Sequence, residues 1–163
     1  MPVLNRKAFI NVPLQTLKII DDGEVIFSTL VSTAVNGTGE KQGSECTPRG
    51  KHIIRAKIGK DCAENTVFRG RRPTGEIFTK ALQKQQPNRD WILTRILWLS
   101  GCEVGVNRLG SVDTMRRYIY LHGCPDDVEM GKPASHGCVR MTNQDVVSVF
   151  NLLPLGAEVI IEE

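Results

Sequence analysis

Short runs of β-branched and apolar residues, separated by turn-forming segments, are the feature that most constrains the fold of this 163-residue chain. Residues 8–12 form one run and residues 14–20 a second. Asp21-Asp22-Gly23 then gives a turn signal before a strand-like return over residues 24–33. Such runs, bounded by Gly, Asn and Asp, are typical of strands joined as hairpins. The first part of the chain is therefore predicted to be β-structure.

The strand pattern resumes after a polar, glycine-rich loop over residues 36–50. Residues 51–58 are strand-like, and a loop-rich middle is predicted over residues 59–90. Residues 91–99 (WILTRILWL) are the most apolar run. Their β-branched and aromatic content favours a buried strand, although the period alone does not exclude a helix. After a further loop, residues 115–121 are predicted to form a strand that ends at the pair His122-Gly123.

One helix is predicted near the C-terminus. Thr142 can cap it, with Asp145 three residues later in a place like that of a capping-box acid. Pro154 and Gly156 end the helical pattern, and residues 157–161 form a final strand. The apolar stripe at helical spacing consists of Val146, Val147, Phe150 and Leu153. The whole pattern predicts one mainly β domain over residues 1–163 with one well-defined helix.

Charge and cysteine content narrow the class of protein. The net charge is +3 and no block of five or more Lys/Arg occurs, so nucleic-acid binding is not indicated. No apolar stretch approaches the ~18 residues that span a bilayer. The N-terminus shows no signal-peptide pattern, which predicts a cytoplasmic protein, or a periplasmic one if the natural chain has an export signal missing here. Five cysteines without a CxxC pair agree with reduced thiols.

Arginines are candidate contacts for a small substrate that carries a carboxylate. Most of them are expected to be solvated surface residues, because charged side chains usually face water. The six candidates are Arg69, Arg71, Arg72, Arg116, Arg117 and Arg140.

The segment SHGCVRM, residues 135–141, concentrates the chemistry of the chain. A thiol nucleophile needs a base, because a free thiol of pKa ~8.5 is mostly protonated at neutral pH. It also needs donors for an oxyanion, and the backbone N–H groups of Gly137 and Cys138 are candidates. His136 would share a face with Cys138 in an extended segment, and His122 is brought back by the intervening loop. Residue spacing leaves the choice of base open.

The His-Gly pair, the loop after it and the SHGCVRM segment resemble the signature of the YkuD-type L,D-transpeptidase catalytic domain. The resemblance extends to Val31-Ser32-Thr33 with its glycine-rich loop and to Thr47-Pro48-Arg49-Gly50, so it covers nearly the whole chain. It implies a YkuD-like mixed β-sandwich with one well-defined helix after the cysteine motif. It also implies that Cys138 attacks the carbonyl of the third residue of a peptidoglycan tetrapeptide stem and expels D-alanine.

The resemblance implies a role for each matching position. His122 would be the general base, and His136 and Gly137 would complete the catalytic group. Arg140 would hold a substrate carboxylate, which suits the planar fork of an arginine. The substrate-binding candidates are Arg140, Ser135, Gly123 and Tyr118. The expected partners are a peptidoglycan-derived tetrapeptide or muropeptide and β-lactam inhibitors of the carbapenem class, with no cofactor and no metal.

The sequence also bears on the fate of the thioester, and it departs from the family at one position. The absent export pattern favours hydrolysis, which is L,D-carboxypeptidase action in peptidoglycan recycling, over 3–3 cross-linking or attachment. A remote alternative is a non-catalytic domain that binds muropeptide, or zinc through Cys138, His136, His122 and Cys124. Cys124 stands where the family often has Thr or Ser, and oxidation linking it to Cys138 is a hypothesis.

Overall fold

The apolar runs of the sequence become the strands of one mixed sheet. The computed structural model describes residues 5–163, so residues 1–4, where the predicted domain begins, lie outside the described part. In chain order the strands are β1 Lys7–Asn11, β2 Thr16–Asp21, β3 Glu24–Leu30, β4 Gly50–Ile58, β5 Thr66–Arg69, β6 Arg72–Ile77, β7 Ile92–Gly101, β8 Tyr120–Gly123, β9 Val139–Met141 and β10 Glu158–Glu162. The α-helices are α1 Lys80–Gln85 and α2 Asn143–Leu152.

Strand β7 is the branch point of this sheet. The main strand order is β3-β2-β1-β10-β4-β7-β5-β6, while β8 also pairs with β7, and β9 pairs with β8. The β7 ladder shifts register between Leu93 and Ile96, and Thr94 between them has a positive φ of 75°. Bulges of this kind bend a strand and redirect its pairing. Strand β7 contains most of the apolar run of residues 91–99, and most of its residues are buried. The prediction of a buried strand there is confirmed.

Helix α2 covers the sheet and closes the main core. Thr142 caps it, since its Oγ1 accepts a hydrogen bond from the Asp145 N–H at 3.1 Å. The Asp145 carboxylate accepts from the Thr29 hydroxyl at 2.5 Å, which ties the helix to β3. Three residues of the predicted stripe, Val146, Phe150 and Leu153, are buried, while Val147 is only half-buried and Val149, outside the stripe, is buried. In the described part, no helix is both long and apolar enough to cross a bilayer.

Two parts of the sequence prediction are wrong. The middle segment holds the β5–β6 hairpin and helix α1. Strand β5 is buried and pairs with β7, whereas β6 and α1 are mostly exposed and polar. Residues 115–117 form a 3₁₀ turn, and Tyr118 is left-handed, so the strand begins only at Tyr120. The Asp113 carboxylate accepts from the N–H groups of Leu109 and Arg116, which favours this turn over an extended chain.

His52 is a buried histidine in β4. Its Nδ1 lies 3.0 Å from the Gly50 carbonyl oxygen, and its Nε2 lies 3.0 Å from the Thr114 hydroxyl. Burial lowers the pKa of His52 to about 4, although the Gly50 hydrogen bond opposes the shift. The ring is therefore neutral and structural at pH 7.

We expect His52 to make the fold sensitive to acid. The unfolded chain binds this proton near pH ~6.5, so the His52 contribution is complete above that pH and is lost as pH falls towards about 4. Urea unfolding should show wild type losing about 2 kcal/mol relative to His52→Gln between about pH 7.5 and 4.5. A difference between the two proteins that is independent of pH would contradict this assignment.

Candidate active site

Parallel pairing of β8 with β9 assembles the candidate site. The register places Leu121 beside Val139 and His122 beside Arg140. Because side chains alternate along strands, Tyr120 and His122 share a face, and Cys138 lies next to Tyr120 just before β9. All of these except Leu121 and Val139 line one cavity of about 470 Å³.

Cys138 has a protonated, partly exposed thiol at this cavity. Its Sγ accepts a hydrogen bond from the Tyr120 N–H at 3.3 Å and donates to the Tyr118 carbonyl at 3.4 Å. Burial among protein atoms raises the pKa of Cys138 to about 12, although the Tyr120 N–H and the nearby arginines oppose the rise. The thiol therefore requires a base before it can act as a nucleophile.

His122 has the protonation state that a general base needs. Its ring is buried, and Nδ1 lies 2.7 Å from the Gly123 carbonyl oxygen. A carbonyl only accepts, so Nδ1 carries the hydrogen and Nε2 has a free lone pair. Burial lowers the pKa of His122, and the Gly123 hydrogen bond opposes that shift. The ring is therefore a neutral base in the same cavity as a neutral thiol.

His136 lies at the exposed rim of the cavity. It is exposed and lines both the main cavity and a smaller one of about 210 Å³. Residues 135–138 are not a strand, and Gly137 has a φ of 132°. The extended segment that would place His136 on the face of Cys138 is therefore not formed, and the geometry favours His122 as the base.

Ser135 and Gly137 organise the loop that carries Cys138. The buried Ser135 hydroxyl donates to the Cys138 carbonyl at 2.6 Å and accepts from the Gly137 N–H at 3.2 Å. The Thr47 hydroxyl donates to the Gly137 carbonyl at 2.9 Å. The Gly137 N–H is thus used within the loop in this resting structure, instead of facing the cavity as an oxyanion donor.

Gly123 lies behind the cavity wall. A Cβ at this position would stand 2.5 Å from Asn143 Oδ1 and 2.7 Å from the Leu93 carbonyl oxygen. Its carbonyl holds the His122 ring, so Gly123 acts on the site through the histidine and does not line the cavity.

Arg140 and Tyr118, two of the predicted substrate-binding residues, both line the cavity. The Arg140 guanidinium pairs with Asp90 at 2.9 Å and donates to the Ala134 carbonyl at 3.3 Å. Tyr118 is half-exposed and lies at the mouth of the cavity.

Sequence reasoning missed Tyr120 and Asp90 at this site. Tyr120 stands two residues before His122 on one strand, so strand periodicity could have indicated it. Asp90 lies outside the strands, and its pairing with Arg140 spans fifty residues, so no local pattern signals it.

The strand register opposes the disulfide hypothesis for Cys124. Cys138 stands beside Tyr120, while Cys124 lies four residues further along the same strand direction. At ~3.3 Å per residue this separation is about 13 Å, whereas disulfides need Cα atoms within ~7 Å. The Cys124 thiol is buried and donates to the Met141 carbonyl at 3.4 Å. Within residues 5–163 no group of three or more His, Cys, Asp or Glu is placed to hold a metal.

Comparison with known proteins identifies the family. A family model described as the YkuD L,D-transpeptidase catalytic domain matches residues 5–161. The chain belongs to this family. The mainly β fold with one main helix, predicted from the sequence, is the L,D-transpeptidase fold.

Relatives agree with this assignment. A Bacillus subtilis (strain 168) protein provisionally named L,D-transpeptidase YqjB is 40% identical over 43 residues, which are 26% of this chain and 24% of that protein. An L,D-transpeptidase structure from Mycobacterium smegmatis has 15% identity and a TM-score of 0.57, covering 98% of this chain and 59% of that one. L,D-transpeptidase 3 from Mycobacterium tuberculosis, with a faropenem-derived adduct, has 14% identity and a TM-score of 0.60, covering 98% and 60%. The chain thus spans about 60% of these solved structures, whose likeness shows the fold alone.

We expect Gly123→Ala to destabilise this YkuD domain and displace the base. The new methyl group would overlap the Leu93 backbone carbonyl, which cannot move without bending β7. Urea unfolding should show a loss of about 2–3 kcal/mol, as for overpacked cores. Gly105→Ala is the control, because Gly105 has open space around it and a φ of 83°. It should lose only about 1 kcal/mol for the left-handed backbone. Equal losses in both variants would contradict the overlap.

Proposed function

We propose that this YkuD domain is a cysteine acyl-enzyme peptidase that removes the terminal D-alanine from peptidoglycan tetrapeptide stems. The observation that carries the proposal is the common face of Cys138 and His122, with the Nε2 lone pair of the histidine free. Family membership supports the L,D-peptide bond as the target.

Proton transfer and attack would occur together. His122 Nε2 takes the Sγ proton as the sulfur bonds to the carbonyl carbon of the third stem residue. Burial raises the pKa of Cys138 and lowers the pKa of His122, so a separate ion pair is unfavourable before substrate binds. Coupling the proton transfer to carbon–sulfur bond formation avoids that intermediate.

The remaining steps return the site to its resting state. The oxyanion collapses, the carbon–nitrogen bond breaks, and the His122 imidazolium protonates the departing D-alanine amine. Water then attacks the thioester while His122 takes its proton. The second collapse releases the tripeptide and restores the Cys138 thiol.

Water is the acceptor that we propose. Cys138 stays partly exposed in its cavity, which lets solvent reach a thioester. The setting we propose is peptidoglycan recycling in the cytoplasm. An amine acceptor, giving a 3–3 cross-link or an attachment, is the second candidate, and the transpeptidase names of the relatives favour it.

β-Lactams are proposed to acylate the same thiol. A solved structure of the L,D-transpeptidase LdtMt1 is in complex with imipenem, which is a carbapenem, and the present chain covers 59% of that protein's chain. A carbapenem is therefore a useful probe of Cys138.

Product analysis separates the two acceptors. Incubation with free tetrapeptide and with disaccharide tetrapeptide should give tripeptide and D-alanine by mass spectrometry, with no dimer. Cys138→Ala should give no product, and a carbapenem should add its mass to wild type but not to this variant. Dimers without tripeptide would overturn hydrolysis, and cleavage by Cys138→Ala would overturn the nucleophile.

Single-turnover acylation tests the choice of base. His122→Ala should slow acylation about 10²–10⁴-fold, the usual size of general-base catalysis, whereas His136→Asn should cost less than about tenfold because it is at the rim. Protonation of His122 removes the base, and burial lowers its pKa. The acid limb of kcat/KM should therefore lie below the ordinary pH ~6.5 of a histidine. A larger loss in His136→Asn, or an acid limb above neutrality, would contradict this assignment.

A further inference from the structure

Three arginines line the cavity, and two of them bind other groups of the protein. Arg140 pairs with Asp90 and with the Ala134 carbonyl. Arg117 is half-buried and donates to two backbone carbonyls and one hydroxyl of the glycine-rich loop over residues 36–50. Its acceptors are Cys46 O at 2.5 Å, Gly39 O at 3.2 Å and Ser44 Oγ at 3.3 Å. Both side chains hold loops in place.

Arg71 has fewer hydrogen-bond partners within the protein. One of its N–H groups donates to the Tyr120 hydroxyl at 3.0 Å. Its guanidinium carbon stands 4.7 Å from the centre of the Trp98 ring and 4.9 Å from that of Tyr118, which is cation–π range. Within residues 5–163 no carboxylate lies in ion-pair range of Arg71. An arginine has five N–H donors, so most of its hydrogen-bonding capacity remains available.

The backbone at Arg71 is held in an unfavourable conformation. Gly70 and Arg71 have φ values of 55° and 65°, and together they form the turn between β5 and β6. Turns with two positive φ values favour Gly or Asn at these positions. An arginine there costs about 1 kcal/mol. This turn places the Arg71 side chain at the cavity, over the Trp98 and Tyr118 rings.

Tyr120 links Arg71 to the reacting sulfur. Its hydroxyl contacts the guanidinium, and its backbone N–H donates to Cys138 Sγ. The guanidinium and the sulfur therefore contact the two ends of one residue, and both line the same cavity.

We propose that Arg71 is a specificity-determining residue that binds a carboxylate of the substrate at the cavity mouth. The inference rests on the proposed function, because the carboxylate belongs to a stem peptide. Two carboxylates have the required chemistry: the terminal one of D-alanine, and the side-chain one of the third residue where that residue is meso-diaminopimelate. Both can accept two parallel N–H bonds from a guanidinium.

Amidated peptides distinguish these two carboxylates. The substrates are a diaminopimelate tetrapeptide, the same peptide with its side-chain carboxylate amidated, and the same peptide with a C-terminal amide. Arg71→Asn keeps the turn conformation and removes the charge. It should lower kcat/KM for the first peptide roughly 10–100-fold, mainly through KM, as expected for a lost hydrogen bond to a charged group.

The selectivity pattern decides the proposal. Wild type should discriminate against one amidated peptide, and that peptide identifies the carboxylate. Arg71→Asn should lose this discrimination, Arg71→Lys should retain part of it, and Arg72→Asn, on the same hairpin but exposed, should behave as wild type. An equal loss for all three peptides in Arg71→Asn would mean that Arg71 only supports the hairpin, and would overturn the proposal.

Alkylation of Cys138 gives a readout without any peptide. Iodoacetate is an anion and iodoacetamide is neutral, so the ratio of their rates at Cys138, read by peptide mass spectrometry, reports local attraction for a carboxylate. Arg71→Asn should lower this ratio about 3–10-fold, while the iodoacetamide rate stays unchanged.

This readout separates the two proposals. An unchanged ratio in Arg71→Asn would overturn carboxylate binding by Arg71, whatever the peptides do. A lowered ratio in a protein that cleaves no tetrapeptide would uphold anion binding by Arg71 and overturn the proposed function.

Discussion

The parallel pairing of β8 with β9 is the interaction on which the site depends. It sets His122 beside Arg140 and puts Tyr120 next to Cys138. Two parallel strands need a connection that returns the chain, and here it is an irregular loop, not a helix. A slip of one residue would turn each of these side chains to the opposite face. The catalytic geometry is thus a consequence of strand register.

The segment Val31–Thr33 supports that register from the other edge of β9. Ser32 exchanges two backbone hydrogen bonds with Arg140, each of 2.9 Å. The Thr33 carbonyl accepts from the N–H groups of Ala134 and Ser135, and its own N–H donates to the buried Gln15. The short motif after β3 therefore contributes backbone support for the nucleophile loop.

Burial keeps both Cys138 and His122 neutral in the resting site. The thiol of Cys138 is protonated and His122 is unprotonated for the same reason, because burial among protein atoms makes a charge unfavourable. Three arginines line the same cavity, and two of them, Arg117 and Arg140, bind groups of the protein itself. Asp90 pairs with Arg140, and loop carbonyls hold Arg117. Among the cavity arginines of the described residues, Arg71 therefore has neither a carboxylate nor a backbone carbonyl as partner.

The sequence by itself determined the mainly β fold, the buried strand of residues 91–99, the helix capped by Thr142, and the chemical candidates in the SHGCVRM segment. These features are local, since hydrophobic period, capping residues and motif spacing act over a few neighbours. The tertiary structure decided the β5–β6 hairpin, the turn at residues 115–118, and the position of His136 at the rim. It also decided that Asp90 engages Arg140 while Arg71 stays available. These outcomes depend on contacts between residues far apart in the chain, and no local sequence pattern indicates such contacts.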